Sequence, residues 1–326
     1  MDDELATIST TRGGFITTGD LLGLGLTSYG ITKLVDRDVL HRFRQGAYAL
    51  PTVWASLSSV QRFRVRGRAV LARHGGRVAL CGVSALVERG VEVWGVDLSI
   101  VDVQRLDSGS GRREAGVRHH VGVIDPGGLE VVNGVLLVDS ETSLWQAMCA
   151  VRVEPGLVMV DSALHLGVAE EERLHVVAEM AAHHRGARTA GITLRLADPL
   201  AESAGETRSR YLCYEFLLPA PRCQLVLERP DGLFVGRSDL GWEAHRHLAE
   251  FDGRIKYGRL LREGQTPSDV VVAEKAREDA MRSLGWGMTR LVWADLAPDR
   301  RRLTAQGLAA DLERSARLYG TRRLAS

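Results

Sequence analysis

Four carboxylates and one lysine in the last third of the chain have the types and spacing to do chemistry together. Asp239 lies in RSDLGW, and Glu250 and Asp252 end HLAEFDG, two stretches that read as neighbouring strands. Residues i and i+2 share one face of a strand, so Glu250 and Asp252 converge, and Asp239 reaches them from the next strand. Glu206, near a helix start, supplies a fourth carboxylate. Clustered hard oxygen donors suit Mg²⁺ or Mn²⁺, with Asp239 and Glu250 as the expected ligands. Such an ion activates water and stabilises the leaving oxygen in phosphodiester cleavage. Lys256, His245 and His247 are the nearby bases or phosphate ligands.

A second set of residues sits at the other end. Thr18 or Asp20 caps a helix carrying Leu21 and Leu22, and Gly23-Leu24-Gly25-Leu26 breaks it. Thr27 or Ser28 caps a second helix over residues 28–37, with Ile31, Leu34 and Val35 on one face. Leu40 to Leu50 then reads as a hairpin turning at Gln45-Gly46. Helix, helix, basic hairpin is the order of a winged helix-turn-helix. Its second helix enters the major groove and its hairpin touches phosphates or the minor groove. The candidate DNA contacts are Thr27, Ser28, Tyr29, Thr32 and Lys33 on the helix, and Arg42 and Arg44 on the hairpin. Phe43 between them points inward by alternation, and Tyr48 packs the wing.

These residues need elements to position them. Residues 56–74 read as one helix capped by Ser56 or Ser58; its Arg62, Arg64, Arg66 and Arg68 fan around it and suit a solvated connector or phosphate contacts. Val78–Val87 is helical in tendency, Val96–Val103 alternates like a strand, and Val117–Val123 and Leu129–Val138 read as strands, the latter folded at Asn133-Gly134. Helices follow from Ser140 or Thr142, over Val158–Leu166 and over Glu170–Ala182. After residues 198–205 comes helix, strand, strand, strand, helix, strand, helix, which implies a small mixed sheet with flanking helices. The expected class is a three-part α/β protein: winged helix with connector over 1–75, mixed middle domain over 76–199, and mixed sheet with flanking helices over 200–326.

Composition narrows the partners. The 326 residues are 45% apolar and 25% charged, ordinary for a globular protein. With 42 basic and 41 acidic residues, a polybasic coat is excluded. The charge is nevertheless segregated: residues 1–75 carry net +4, 76–199 net −6 and 200–326 net +3. Cys81, Cys149, Cys213 and Cys223 form no CxxC pair and read as buried free thiols. No apolar run suits a membrane span, and MDDELATIST lacks the features of a signal peptide, so a cytoplasmic protein is expected. His119-His120 and His183-His184 read as surface or internally satisfied pairs, and Asp161 and His165 as a bond within one helix turn. Trp242, Trp286 and Trp293 read as core.

Two resemblances add to this. GGFITTGDLLGLGLTSYGITKLVDRDVLHRFRQGAYAL, with its closing Arg42-Phe43-Arg44-Gln45-Gly46-Ala47-Tyr48, resembles the winged-helix module of AbiEi-type antitoxins and transcriptional regulators. GVSALVERG and VNGVLLVDSETSLWQAM resemble the domain that follows it in actinobacterial members, so the likeness covers residues 10–165. It implies binding of double-stranded DNA, autoregulation and, in some members, neutralisation of a toxin protein; a homo-oligomer is left open. GETRSRYLCYEFL, DGLFVGRSDLGW, AEFDGRIKY and KAREDAMRSLGWGMTRLVWADL resemble, in order, the PD-(D/E)xK nucleases related to very-short-patch repair endonucleases. That likeness implies a restriction-endonuclease-like fold, with Glu206, Asp239 and Glu250 in the acidic positions and Arg277 and Asp279 bracing the core. Asp252 stands where the superfamily's catalytic lysine usually is, so that either Lys256 takes that role or the site is degenerate. Two functions follow: a Mg²⁺-dependent DNA endonuclease guided by a winged helix, or a non-catalytic autorepressor or antitoxin of a type IV toxin-antitoxin system.

Overall fold

A computed structural model describes residues 1–107, 113–122, 128–229, 231–253 and 276–320. The chain divides into two compact units, Met1–Pro155 with Val168–Gly191, and Gly156–Gly167 with Ile192–Ser326. The architecture is multidomain α/β, with a helical region and small hairpin first and a mixed sheet flanked by helices last.

The first unit opens with α1 (Asp2–Thr11), β1 (Ile16–Thr17), α2 (Thr18–Gly23), α3 (Ser28–Asp36), β2 (His41–Arg44) and β3 (Ala47–Ala49). The strands form an antiparallel sheet ordered β1-β3-β2. Leu5, Ile16, Leu21, Ile31, Leu40 and Tyr48 make its core, so the expected packing role of Tyr48 holds. Thr17, one residue earlier than expected, caps α2 in a reciprocal box with Asp20, and Thr27 caps α3 through the Gly30 amide. Gly46, at φ 77°, supplies the left-handed turn that closes the hairpin.

The expected connector splits into α4 (Pro51–Ser56) and α5 (Ser59–His74), the latter capped by Ser58. Its arginines are neither a solvated fan nor a phosphate face. Arg62 donates to the Trp54 carbonyl, Arg64 to the Val87 carbonyl, Arg66 to the Leu98 carbonyl, and Arg68 pairs with the buried Glu88. Val78–Val87, expected as one helix, is β4 (Val78–Leu80) and α6 (Gly82–Glu88), and Gly82 takes a left-handed φ of 49° where the helix begins. The strand expected from Val96 begins only at Val101, as β5 (Val101–Arg105). With β6 (Arg113–Glu114), β7 (Val117–His120), β8 (Leu129–Val132) and β9 (Val135–Val138) it builds a six-stranded sheet ordered β6-β7-β5-β4-β9-β8. Asn133 and Gly134, at φ 51° and 76°, form the two-residue turn their sequence announces. α7 (Ser140–Ala150), capped by Asp139, α8 (Val153–His165), α9 (Glu171–Met180) and α10 (Ala187–Arg195) follow.

The second unit has the expected order. α11 (Ala204–Glu215) precedes β10 (Arg222–Glu228), β11 (Phe234–Trp242) and β12 (His247–Asp252); a helix over 276–283, α12, leads to β13 (Gly287–Val292) and α13 (Arg301–Tyr319). The sheet order is β10-β11-β12-β13, antiparallel except for the last pair, which is parallel. A parallel pair needs a crossover connection, and α12 lies on it. α11 approaches β12 closely: a Cβ on Gly205 would lie 2.0 Å from the Phe251 ring. Asp161 does not bond within its own helix. It is fully buried and accepts from the Asp198 amide, the Thr207 hydroxyl and the Arg210 guanidinium, at 2.9, 2.8 and 2.8 Å. His165 instead meets the Pro199 carbonyl.

Candidate functional site

The amino-terminal set is presented as an open surface. α3 buries Ile31 and leaves Thr27, Ser28, Tyr29, Thr32 and Lys33 exposed, Tyr29 by 71%. The helix periodicity explains this, since Ile31, Leu34 and Val35 fill the inward face. Lys33 sits 5.4 Å from the Tyr29 ring centroid. On the hairpin, Arg42 is exposed and Phe43 stacks on Trp54 at 4.6 Å. Arg44 differs from Arg42, because a register irregularity between them turns it inward. Its guanidinium donates to the Ala115 carbonyl at 2.9 Å and pairs with Glu114 at 3.1 Å.

Of the carboxy-terminal acids, Glu206 and Asp239 meet at a local break in the sheet. Cys223 faces Leu240 and Leu225 faces Ser238, so Gln224 and Asp239 are opposed between them, with Gln224 at a left-handed φ of 52°. Gln224 donates to Glu206 at 2.9 Å, and Glu206 also accepts from the Glu202 amide and the Ser203 hydroxyl. Burial, and then the Asp239 charge, push the Glu206 carboxyl up. The Phe251 amide donates to Asp239 at 2.9 Å. Glu250 lies beside Arg290 in the parallel ladder and faces both Arg290 and Arg277, at 3.6 and 3.5 Å. Asp252 ends β12 opposite Val292, partly buried. Lys256 lies outside the described residues.

Two of these acids are already engaged by donors of their own unit in the arrangement they adopt. Glu206 is engaged by three donors and Glu250 by two guanidinium groups, whose cations take the place an Mg²⁺ or Mn²⁺ charge would fill. Among the described residues the carboxylates also form no group of three whose ligand atoms lie within 4.8 Å of one another. His247 is not an available base: it is buried, its Nδ1 accepts from Ser315, and its Nε2 donates to Thr289, which donates on to Asp311. Burial drops the His247 imidazole to about 4. Trp242 and Trp286 are core, but Trp293 is 37% exposed, edge-on to Phe251 with Arg208 over its ring.

The sequence reading passed over one cluster. His119 and His120 point apart, as adjacent strand residues must, but neither is an idle surface group. His120 meets Asp102, which also holds Arg118. His119 is buried, facing Glu114 and His74. Burial holds the His74 imidazole low, while His119, Arg73 and Arg44 outweigh the burial of Glu114 and hold its carboxyl low. Alternation of β7 could have placed His119 inward; nothing in the sequence links it to residues 5 and 45 positions earlier.

No family model matches the chain, and no curated protein matches it. No helix among the described residues is long and apolar enough to cross a membrane.

Proposed function

We propose that the chain is a DNA-binding regulator that engages duplex DNA through its amino-terminal winged helix, its carboxy-terminal unit serving as a nuclease-like scaffold that does not cut. The observation that carries this reading is the α3 face: five hydrogen-bonding side chains exposed side by side, next to exposed Arg42, on a helix whose opposite face is core. The likeness to AbiEi-type regulators in residues 10–165 supports it and makes the DNA upstream of the chain's own gene the natural target. The non-cutting role is favoured by the acids themselves, because Glu206 and Glu250 are committed to donors of their own unit.

Fluorescence anisotropy on that upstream duplex, from 50 to 200 mM salt, tests the reading. The expected result is tight binding that falls steeply with salt and is lost when Tyr29, Lys33 and Arg42 are changed together to Ala. Equal binding by that triple variant removes the winged helix from DNA recognition. Incubating supercoiled DNA with Mg²⁺ or Mn²⁺ tests the scaffold role. Intact DNA is expected; nicking that Asp239→Asn abolishes would establish the endonuclease instead.

A further inference from the structure

His74, Glu114 and His119 come from three elements: the C-terminal end of α5, β6 and β7. Antiparallel pairing sets Glu114 opposite Val117, and His119 lies two residues along the same face of β7. The ligand atoms of the three residues all lie within 4.8 Å of one another. One carboxylate oxygen of Glu114, Oε2, is 3.7 Å from His74 Nε2 and 3.5 Å from His119 Nε2. These distances are too long for good hydrogen bonds, which fall at about 2.7–3.2 Å. They are close to what one shared ion needs: two ligands about 2.0–2.1 Å from a tetrahedral zinc lie about 3.3–3.4 Å apart.

The nitrogens supply the second observation. The His119 side chain is 1% exposed, and both of its ring nitrogens, like His74 Nε2, are buried without a hydrogen-bond partner. Buried nitrogens left unpaired are costly, and one cation beside Oε2 engages the Nε2 atom of each ring, leaving His119 Nδ1 as the remaining unpaired nitrogen. The other Glu114 oxygen, Oε1, is the one that meets Arg44 and Arg73, at 3.1 and 3.6 Å, which leaves Oε2 for the ion. Two guanidinium groups beside a single carboxylate disfavour a cation held by charge alone. Imidazole donors select the metals that bind nitrogen well.

We propose that His74, Glu114 and His119 form a binding site for a zinc-class divalent cation, with three protein ligands and one position left for solvent. The site joins the end of α5 to the β6–β7 pair, and the carboxylate that binds the ion also holds Arg44 of the hairpin.

Full-length protein is stripped with a chelator and titrated with Zn²⁺ and Co²⁺, following heat of binding, thermal melting and the visible spectrum of the cobalt form. One equivalent is expected, with a higher melting temperature and the intense visible bands of four-coordinate cobalt. His74→Gln and Glu114→Gln should weaken binding at least about tenfold, His74→Gln while melting like the stripped parent protein and Glu114→Gln slightly below it, because it also loses its pairs with Arg44 and Arg73. Changing His183 and His184, an exposed pair, to Gln should leave binding unaltered. The site is overturned by no Zn²⁺ binding, by binding that His74→Gln and Glu114→Gln retain, or by binding that depends on His183 and His184. A water-filled cluster, the alternative occupant, gives the first of these results.

Discussion

Two buried polar clusters in this chain look alike on paper and differ in how they are satisfied. Around Asp161 and Glu206, the carboxylates accept bonds from named donors: Thr207, Arg210 and the Asp198 amide for one, Ser203, Gln224 and the Glu202 amide for the other. Around Glu114, His74 Nε2 and both ring nitrogens of His119 have no such partner. Neither cluster is complete, since Arg210 Nε and Gln224 Oε1 are also buried without a partner, but in the first the carboxylates are met by donors, whereas in the second the carboxylate and its two imidazoles stand too far apart for good hydrogen bonds. Glu206, which the sequence marks as catalytic, falls in the first cluster, and His119, which it reads as a surface or internally satisfied group, falls in the second.

The hardest blow to the first cluster is removal of its cation. Arg210→Met leaves Asp161 charged, fully buried and short of its main counter-charge, and should cost about 3–5 kcal/mol in urea unfolding. Changing Asp161 to Leu in the same chain removes the orphan and should recover part of that loss. If Arg210→Met were neutral, the pair would not be structural, and the contrast with the histidine cluster would fail.

The pH dependence of His247 sharpens the comparison with a smaller effect. Its ring is held at about 4 in the folded unit, against an ordinary 6.5. Between those values the unfolded chain binds a proton that the folded chain refuses, so this residue makes stability fall as pH falls. The full swing is about 3 kcal/mol. Asp161 and Glu206, whose carboxyls are pushed up, act with the opposite sign: the folded state takes their protons more readily, and acid stabilises it. The clean measurement is therefore the stability difference between parent and His247→Gln from pH 7 to 4, which should change in the variant's favour as pH falls. A difference that stays flat would mean that burial does not keep His247 neutral in the folded unit.

The legibility of the chain follows the same division. The carboxy-terminal order of helices and strands could be read because each strand carries its own alternation and each break its Pro or Gly, as at Pro219 and Gly285. The α3 surface could be read because a helix shows its buried and exposed faces in a ten-residue window. The fate of individual charges could not. Whether Arg64 meets solvent or the Val87 carbonyl, and whether Arg44 meets DNA or Glu114, depends on chain that arrives 23 and 70 residues later. Hence the sequence could single out Glu206, Asp239 and Glu250 as candidates but not the donors that engage them. The convergence of His74 with His119 was invisible for the same reason.

The smallest expected effect separates Arg42 from Arg44, two residues of one hairpin with the same charge. Arg42 is exposed with its hairpin beside α3, so under DNA binding it should contribute one phosphate contact. Arg42→Ala should then lower the slope of log affinity against log salt by about 1 and leave melting unchanged. Arg44 is 15% exposed at its side chain and already spans Glu114 and the Ala115 carbonyl. Arg44→Ala should leave the salt slope alone and cost up to about 1 kcal/mol of stability, the range of an ion pair near the surface. Should both variants lower the slope equally, Arg44 must leave Glu114 when DNA arrives. The carboxylate would then be freed toward His74 and His119, and the two regions would be coupled rather than merely contrasted.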